Sequence, residues 1–324
     1  MVLRVGISGL GRWGQVLVDS IYEKSEMLAV VAGCTGSKEK VTAYCTDKGI
    51  DLRNTFADLL KDDSLDAVII ATPHSQHTDQ IIAAANAGKH VFVEKPFTLS
   101  KESAERAWNA CDSAGVVCAL GHNRRFLPNM KRLRNLVDDG EIGDPVHVEA
   151  NISSPGRDYS LNHWRSDPKQ CPAGSMTGLG VHMTDALISI MGPIATVNAV
   201  SEMRSCRNLK SAVTFMTLHF ASGATGVFST LFQTAPVWFL RVSGNQGWAE
   251  VRDFRRLTSL KIGDAKEHQE KFAQTDIEQA ELEAFAEAIA GKAPYPISAH
   301  DAVHGTAVFE AVVRSAETGA PVDL

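Results

Sequence analysis

A glycine-rich turn directly behind an apolar strand constrains the fold of this chain more than any other feature. Residues 2–8 have the apolar run of a buried strand, and Gly9, Gly11 and Gly14 follow with the spacing Gly-x-Gly-x-x-Gly. Residues 13–23 then have the spacing of a helix. Glycines at these positions allow a tight turn, a close approach of phosphate to the backbone and close packing of the helix on the strand. The sequence therefore predicts a strand–turn–helix unit that binds a dinucleotide.

The alternation of strands and helices continues to about residue 121. Strands that read as continuous apolar runs between helices are typical of a parallel sheet covered on both faces. We therefore predict an α/β, doubly wound Rossmann domain over residues 1–122. The further strands predicted in it are Leu28–Cys34, Asp66–Ala71, His90–Glu94 and Val116–Leu120, and the further helices are 37–48 with Ser37 as its N-cap, His77–Ala87 and Ser100–Ala114.

The length of 324 residues leaves room for a second domain, predicted over residues 123–324. Strands predominate there, and the alternation of buried and polar residues within 212–220 indicates a sheet with one buried face. We predict an α+β domain with a large, mostly antiparallel open sheet. Its predicted strands are Val146–Ser153, Ala195–Arg204, Ala212–Phe220, Thr225–Phe232, Phe239–Ser243 and Trp248–Phe254, followed by helices at Ile277–Ala290 and Ala299–Glu317.

Composition limits the partners of the chain. The net charge is −6 and no basic segment is interleaved with aromatic residues, which argues against nucleic acid because that binding neutralises phosphates. No stretch approaches about 18 uninterrupted apolar residues, so we expect no membrane span. The first residues lack the pattern of an export signal, so we expect a cytoplasmic location. The six cysteines have no Cys-x-x-Cys spacing, and we expect them to be reduced and to bind no metal.

Six short motifs occur along the chain. They are Gly-Leu-Gly-Arg-Trp-Gly at 9–14, Ala-Thr-Pro-His-Ser-Gln-His at 71–77, Glu-Lys-Pro at 94–96, Asn-Arg-Arg-Phe at 123–126, Trp-Arg at 164–165 and Gly-Leu-Gly-Val-His-Met-Thr-Asp at 178–185. In this order they resemble the glucose–fructose oxidoreductase / inositol dehydrogenase (GFO/IDH/MocA) family over essentially the whole length of the chain. The resemblance implies an NAD(P)-dependent dehydrogenase or reductase of sugars, polyols or related compounds. It also implies that the open sheet of the second domain lines the substrate cleft and joins the subunits of a homodimer or homotetramer.

The cofactor is predicted to be NADP or NAD, with NADP slightly favoured. NAD-preferring enzymes usually place an acid at the end of the second strand, whereas by the family pattern Thr35 holds that position here and no carboxylate precedes Glu39. Ser37 and Lys38 can instead donate hydrogen bonds to a 2′-phosphate. The cofactor-binding residues implied by the motifs are Gly9, Gly11, Arg12, Trp13, Gly14, Thr35, Ser37, Lys38, Thr72, Pro73, His77, Glu94, Lys95, Trp164 and Arg165.

Lys95 and His182 are the predicted catalytic pair. Lys95 stands at the carboxyl end of a parallel strand, where ligands bind in such folds, and the motif order adds His182 from the second domain. Asp185 lies three residues after His182 on a predicted helix, without a third metal ligand. The substrate-contacting residues are predicted to be Lys95, Asn123, Arg124, His163, His182 and Asp185.

Alternative interpretations remain at this stage. Residues 123–125 are also compatible with a charged linker that faces solvent, and Trp164-Arg165 with an interface aromatic and its ion partner. Many family members carry an Asp four residues before the histidine, where this chain has Gly178. The favoured function is a dehydrogenase or reductase acting on a secondary alcohol or ketone. The alternative is a cofactor-binding regulator or sensor with little turnover.

Overall fold

The computed structural model describes residues 2–155, 164–206 and 209–324, and their contacts divide the chain into two compact units. The first unit consists of Met1–Asn123 and Asp276–Val303, and the second of Arg124–Thr275 and His304–Leu324. The sequence-based prediction placed all residues from 123 onward in the second domain. In the structure, the contacts of Asp276–Val303 group this segment with the first unit instead.

The first unit contains, within its described residues, one sheet of six parallel strands in the order β3-β2-β1-β4-β5-β6. The order reverses between β1 and β4, which makes this point the topological switch where open α/β sheets bind ligands. The predicted α/β Rossmann fold is therefore confirmed. The strands are β1 (Leu3–Ser8), β2 (Leu28–Cys34), β3 (Asp51–Leu52), β4 (Ala67–Ile70), β5 (His90–Glu94) and β6 (Cys118–Gly121), and the helices are α1 (Arg12–Ile21), α2 (Thr42–Lys48), α3 (Phe56–Leu60), α4 (His77–Asn86) and α5 (Lys101–Ala114).

Helix boundaries follow from local chemistry, with one correction. Helix α5 begins at a capping box in which Ser100 and Ser103 satisfy each other's backbone N–H groups, and it ends at Gly115, whose φ is +67°. Ser37 was predicted to cap a continuous helix, but its side chain makes no capping hydrogen bond to a described residue. A short 3₁₀ turn occupies Lys38–Lys40 instead, and α2 begins at Thr42 because Val41 leaves helical geometry with φ −123°.

Two antiparallel halves of different length flank one parallel pair in the second unit. Its described residues form a nine-stranded sheet in the order β14-β13-β12-β11-β7-β10-β9-β8-β15, and only β7 and β10 pair in parallel. The predicted mostly antiparallel sheet is confirmed. The strands are β7 (Pro145–Ser154), β8 (Ile194–Cys206), β9 (Leu209–Phe220), β10 (Thr225–Phe232), β11 (Val237–Gly244), β12 (Gly247–Arg252), β13 (Arg256–Lys261), β14 (His268–Lys271) and β15 (Val322–Asp323), and the helices are α6 (Pro128–Asp138), α7 (Val181–Met191) and the part of α9 (Ala299–Thr318) from His304 onward.

The helix α8 (Ile277–Ile289) belongs to the core of the first unit, although its sequence position suggested the second domain. Leu282 and Phe285 are completely buried in the cluster that contains Ile7 and Phe92. The rings of Phe92 and Phe285 lie 5.8 Å apart, a favourable distance for an aromatic pair. The apolar stripe on α8 was predicted correctly, but periodicity does not identify the sheet that a stripe covers.

In the parts of the chain that the structure describes, no helix is long and apolar enough to cross a membrane. Cys34, Cys45, Cys111 and Cys118 are buried thiols in the first unit. Burial raises the pKa of the Cys34 and Cys45 thiols, which keeps them in the unreactive protonated form at neutral pH.

Candidate active site

The glycine turn has the geometry that a dinucleotide requires. Gly9 has a φ of +98°, and a Cβ there would lie 2.4 Å from the Ala71 carbonyl oxygen. A Cβ on Gly14 would lie 2.0 Å from the carbonyl oxygen of Gly9, so neither position tolerates a side chain. A Cβ on Gly11, in contrast, would meet no described atom within 4 Å. Gly11 is the N-cap of α1, and the N–H groups at the start of a helix are suited to bind a pyrophosphate.

The carboxyl end of β2 carries donors rather than acids. Thr35 and Ser37 are half-buried there, and Lys38 Nζ donates a 2.6 Å hydrogen bond to Asn54 Oδ1. On the adjoining turn, the guanidinium of Arg12 lies 5.5 Å from the centre of the Trp13 indole. The region therefore combines positive charge with hydroxyl groups, as predicted, and Asn54 is an additional polar neighbour that no sequence motif indicated.

His77 braces two turns from a fully buried position. Its Nδ1 lies 2.9 Å from the Pro96 carbonyl oxygen, and its Nε2 lies 3.1 Å from the Thr72 carbonyl oxygen. Burial lowers the pKa of this imidazole, an effect that its hydrogen bonds to backbone carbonyls oppose. The contact of His77 with the cofactor stays a prediction. In the structure the ring has no exposed surface and holds the loops that follow β4 and β5. Thr72, at the first of these loops, also donates to Gln80 Oε1 at 2.9 Å.

Glu94 forms a buried polar centre next to Lys95. Burial raises the pKa of this carboxyl to about 7, with the nearby Glu278 adding to the shift. The Lys95 ammonium, the Trp13 indole and the Lys95 backbone N–H act in the opposite direction. That N–H lies 3.2 Å from Glu94 Oε2, and the Lys95–Pro96 peptide is cis. Trp13 and Glu94, both predicted to bind the cofactor, thus also interact with each other.

Glu278 is a member of this region that the sequence did not reveal. It lies in the first turn of α8, and its Oε1 accepts a 2.8 Å hydrogen bond from Nδ2 of Asn123. Asn123 follows β6, whose Gly121 pairs in register with Glu94 of β5. Asn123, Glu94 and Lys95 therefore leave neighbouring parallel strands at the same edge of the sheet.

In the second unit, His182 lies in the first turn of α7, which a π-helical turn at Met176–Gly180 precedes. His182 and Asp185 are both buried. Arg125 holds Asp185 with a bidentate ion pair, in which Nε lies 2.9 Å from Oδ2 and Nη2 lies 2.8 Å from Oδ1. The contact of Asp185 with substrate stays a prediction, and the structure shows its carboxylate paired with a guanidinium that is equally buried.

The space beside Gly178 is occupied by an aromatic ring. A Cβ on Gly178 would lie 2.8 Å from Cζ of Phe232, the last residue of β10. Phe232 therefore fills the volume that a larger residue at position 178 would need. No sequence pattern linked these two residues, which come together only through the sheet.

The remaining predicted residues lie in the second unit. The Arg124 guanidinium stacks 4.2 Å from the ring centre of Phe254 and 5.9 Å from that of Trp238, so it is anchored on aromatic side chains. Arg165 lies 4.1 Å from the ring of its neighbour Trp164. His163 lies outside the described residues. Among 2–155, 164–206 and 209–324, no group of three or more His, Cys, Asp or Glu residues could hold a metal ion.

Comparisons with known proteins agree with this architecture. Residues 3–122 match the model of the oxidoreductase family with an NAD-binding Rossmann fold, and residues 130–250 match the GFO/IDH/MocA C-terminal domain. The chain is 30% identical to D-xylose 1-dehydrogenase (NADP(+)) 2 of Haloferax volcanii, over 99% of this chain and 98% of that protein. It is 35% identical to scyllo-inositol 2-dehydrogenase (NAD(+)) of Bacillus subtilis, over 48% of this chain and 45% of that protein.

A solved structure supports the same assignment. A protein from Desulfitobacterium hafniense, to which NADPH-dependent oxidoreductase activity is attributed, superposes with a TM-score of 0.90 and 26% identity, over 100% of this chain and 98% of that one. The family models together cover well over half of the sequence. The chain is therefore a member of the GFO/IDH/MocA family of NAD(P)-dependent oxidoreductases.

Proposed function

We propose that this protein interconverts a secondary alcohol and a ketone on a sugar, a polyol or a related cyclic compound, with NADP or NAD as the hydride carrier. The observation that carries the proposal is the position of Lys95. It leaves β5 at the ligand-binding edge of the sheet, half-buried, and its charge acts on Glu94 and His77. The relatives named as D-xylose and scyllo-inositol dehydrogenases support this class of substrate.

Each residue has a defined task in this proposal. When bound, the nicotinamide ring accepts or donates the hydride. Lys95 Nζ holds and moves the proton at the substrate oxygen, a contribution typically worth a factor of about 10²–10⁴ in rate, and His182 supports that transfer. The turn from Gly9 to Gly14 binds the pyrophosphate. Asn123, Arg124 and His163 are proposed to contact the substrate, and Trp164 and Arg165 the cofactor.

NADP(H) is proposed to bind at least as tightly as NAD(H). Thr35, Ser37, Lys38 and Arg12 supply donors where an NAD-preferring enzyme usually has an acid, and a charge-assisted hydrogen bond contributes about 1.5–3 kcal/mol. One relative is named for NADP and the other for NAD, so the relatives do not favour either cofactor. The proposed preference for NADP(H) depends on the donors at the end of β2. Calorimetric titration with both cofactors tests it, and a clearly tighter NAD complex that Lys38→Ala leaves unchanged would refute it.

The alternative function is a cofactor-bound regulator or sensor with little turnover. The observation in its favour is the ring of Phe232, which fills the space beside Gly178 where many family members have an Asp. Nicotinamide absorbance during incubation with a panel of sugars, polyols and dihydrodiols separates the two functions. Substrate-dependent turnover supports an enzyme, whereas cofactor binding without turnover across the panel supports the sensor.

The lysine assignment is tested by Lys95→Ala with the best substrate of that panel. We expect kcat to fall at least about a hundredfold while the cofactor Kd stays within a few-fold, because the ammonium acts on the substrate oxygen. His182→Ala should cost less and should change the pH profile near neutrality. Lys101→Ala, an exposed lysine at the start of α5, is the matched control and should leave both constants unchanged. Near wild-type turnover by Lys95→Ala would refute the assignment.

A further inference from the structure

Asn123 carries an unsatisfied acceptor in a buried position at the ligand-binding edge of the first unit. Only 2% of the residue is exposed, and its Oδ1 accepts no hydrogen bond from any described residue. A buried acceptor without a hydrogen bond costs folding free energy, and buried polar groups in folded proteins nearly always have a partner. An orphaned oxygen at this edge therefore indicates a donor that arrives with a ligand.

The orientation of the amide is fixed by Glu278. A carboxylate can only accept hydrogen bonds, so the Asn123 amide must present its NH₂ group to Glu278, at 2.8 Å. The carbonyl oxygen of the same amide consequently points away from Glu278. Glu278 lies in the first turn of α8, which is anchored in the core through Phe285 and Leu282. The acceptor is therefore held by a rigid element.

The strand order indicates which part of a dinucleotide this acceptor would meet. A doubly wound sheet binds its dinucleotide across two halves, and the end of β2 belongs to the half that takes the adenosine ribose. β4, β5 and β6 form the other half, which leaves the nicotinamide side to the ends of β5 and β6. Asn123 follows β6, and Glu94 with Lys95 ends β5.

We propose that Asn123 Oδ1 accepts a hydrogen bond from a ligand N–H or O–H group at the reacting end of the site, and that Glu278 is the positioning residue that orients this amide. This inference rests on the proposed function. Two groups supply the required donor, the carboxamide NH₂ of the nicotinamide and a hydroxyl of the polyol substrate. Their chemistry is the same at Oδ1, and binding experiments with and without substrate distinguish them.

The test compares Asn123→Leu with the wild type by titration of NADH and NADPH in the absence of substrate. If the carboxamide is the donor, Kd for the preferred cofactor rises about tenfold, the loss of one hydrogen bond. The oxidised 3-acetylpyridine analogue, which has a methyl ketone in place of the amide, should bind wild type and Asn123→Leu equally. If a substrate hydroxyl is the donor, the cofactor Kd stays unchanged and the substrate KM rises about tenfold instead.

Glu278 is tested by a pair of neutral substitutions. Glu278→Gln keeps an oxygen that accepts from Asn123, and it should bind the ligand within about twofold of the wild type. Glu278→Leu removes the acceptor and should approach the loss seen with Asn123→Leu. Both remove the same charge from the vicinity of Glu94, so the difference between them isolates the hydrogen bond. Asn86→Leu, at an exposed position near the end of α4, is the control for the asparagine substitution.

Distinct results would overturn the inference and the proposed function. Unchanged cofactor Kd and unchanged substrate KM in a folded Asn123→Leu would overturn the inference alone. If that variant does not fold, two other measurements decide. The inference would be overturned if the wild type bound the oxidised cofactor and its acetylpyridine analogue with equal affinity and Glu278→Leu left the substrate KM unchanged. A wild-type protein that binds neither NADH nor NADPH would instead refute the proposed function.

Discussion

Gly178 and Phe232 form a pair in which the absence of one side chain makes room for the other. A Cβ on Gly178 would lie 2.8 Å from Phe232 Cζ, closer than real Cβ contacts. We predict that Gly178→Asp lowers the thermal midpoint by at least about 2 °C, because overpacking typically costs about 1–3 kcal/mol. The double variant Gly178→Asp/Phe232→Ala should be more stable than the sum of the two single losses implies. Thermal unfolding of the four proteins measures this coupling.

A wild-type midpoint for Gly178→Asp with Phe232 in place would contradict the steric argument. Activity adds an independent measurement. If the ring shapes the substrate pocket, the double variant should alter the relative kcat/KM values across the panel of sugars and polyols. Phe228→Ala is the control. This buried phenylalanine lies on the same strand, but none of its atoms is among those closest to a Cβ at position 178, so it should not relieve the loss caused by Gly178→Asp.

Glu94 gives stability a pH dependence whose sign follows from its environment. Burial raises the pKa of this carboxyl from 4.5 to about 7, so the folded state binds the proton more tightly than the unfolded state. Its stabilising contribution is present below about pH 4.5 and is lost as the pH rises through about 7. We predict that Glu94→Gln gains stability relative to the wild type between pH 5 and pH 8, by about 2 °C or more in thermal midpoint. Glu102→Gln, at an exposed position on α5, is the control and should show no such gain. The prediction would be contradicted if the thermal midpoints of Glu94→Gln and the wild type differed by the same amount at pH 5 and at pH 8.

Individual residues differ in how far the sequence reveals their role. Gly9 and Gly14 were predictable because a side chain at either position would collide with the backbone of the turn itself or of the adjoining strand end. Asp185 was not, because its partner Arg125 lies 60 positions earlier, and the spacing from His182 contains no information about that ion pair. Asn123 was identified from its place in a motif, whereas Glu278, which orients it, is 155 positions away.

At the level of elements, the Arg125–Asp185 pair fastens the first residues of the second unit to α7, the helix that carries His182. Both side chains are only 6% exposed. Removing one member of such a pair leaves an uncompensated buried charge, which costs about 3–5 kcal/mol. We predict that Arg125→Met strongly destabilises the second unit, as measured by urea or thermal unfolding. Arg125→Lys should recover part of the loss, because lysine keeps the charge but not the bidentate geometry.

Arg134→Met provides a matched control for that prediction. Arg134 forms an exposed pair with Asp138 on α6, at 3.3 Å, and such surface pairs contribute at most about 1 kcal/mol. Equal stability of Arg125→Met and Arg134→Met would show that the buried pair contributes no more than a surface pair.

Elements were predicted well where their signal is local and long. Strands β2, β5 and β10 have the boundaries that the apolar runs indicated, and α5 ends at the predicted Ala114 and begins one residue after the predicted Ser100. The short elements β3 and α3, and the polar strands β13 and β14, were missed because two to six residues with mixed polarity carry little periodic signal. The location of α8 could not be predicted, because either sheet would accept its apolar stripe.

For the whole molecule, the uncovered face of the nine-stranded sheet is the feature with the largest consequence. Alternate residues of β8, β9 and β10 point away from the buried face, and several of them are apolar. Val200 is 57% exposed and Phe215 is 48% exposed, and the two are register partners on neighbouring strands. Neighbouring Val213, Val227 and Leu231 are half-buried on the same outer sheet face. Contiguous apolar surface of this kind is uncommon on monomers and marks interfaces.

We therefore predict that the protein is a homodimer or homotetramer whose subunits are joined by this outer sheet face. Phe215→Glu and Val200→Glu should shift the assembly toward monomers, because each would bury an unpaired charge in the interface. Ile262→Glu places the same charge at an 80% exposed residue just after β13 and should leave the assembly intact. Light scattering coupled to size-exclusion chromatography at micromolar concentration measures the mass of each variant. A monomeric wild type would refute the prediction. An oligomer that both sheet variants leave intact would show that another surface of the subunit forms the interface.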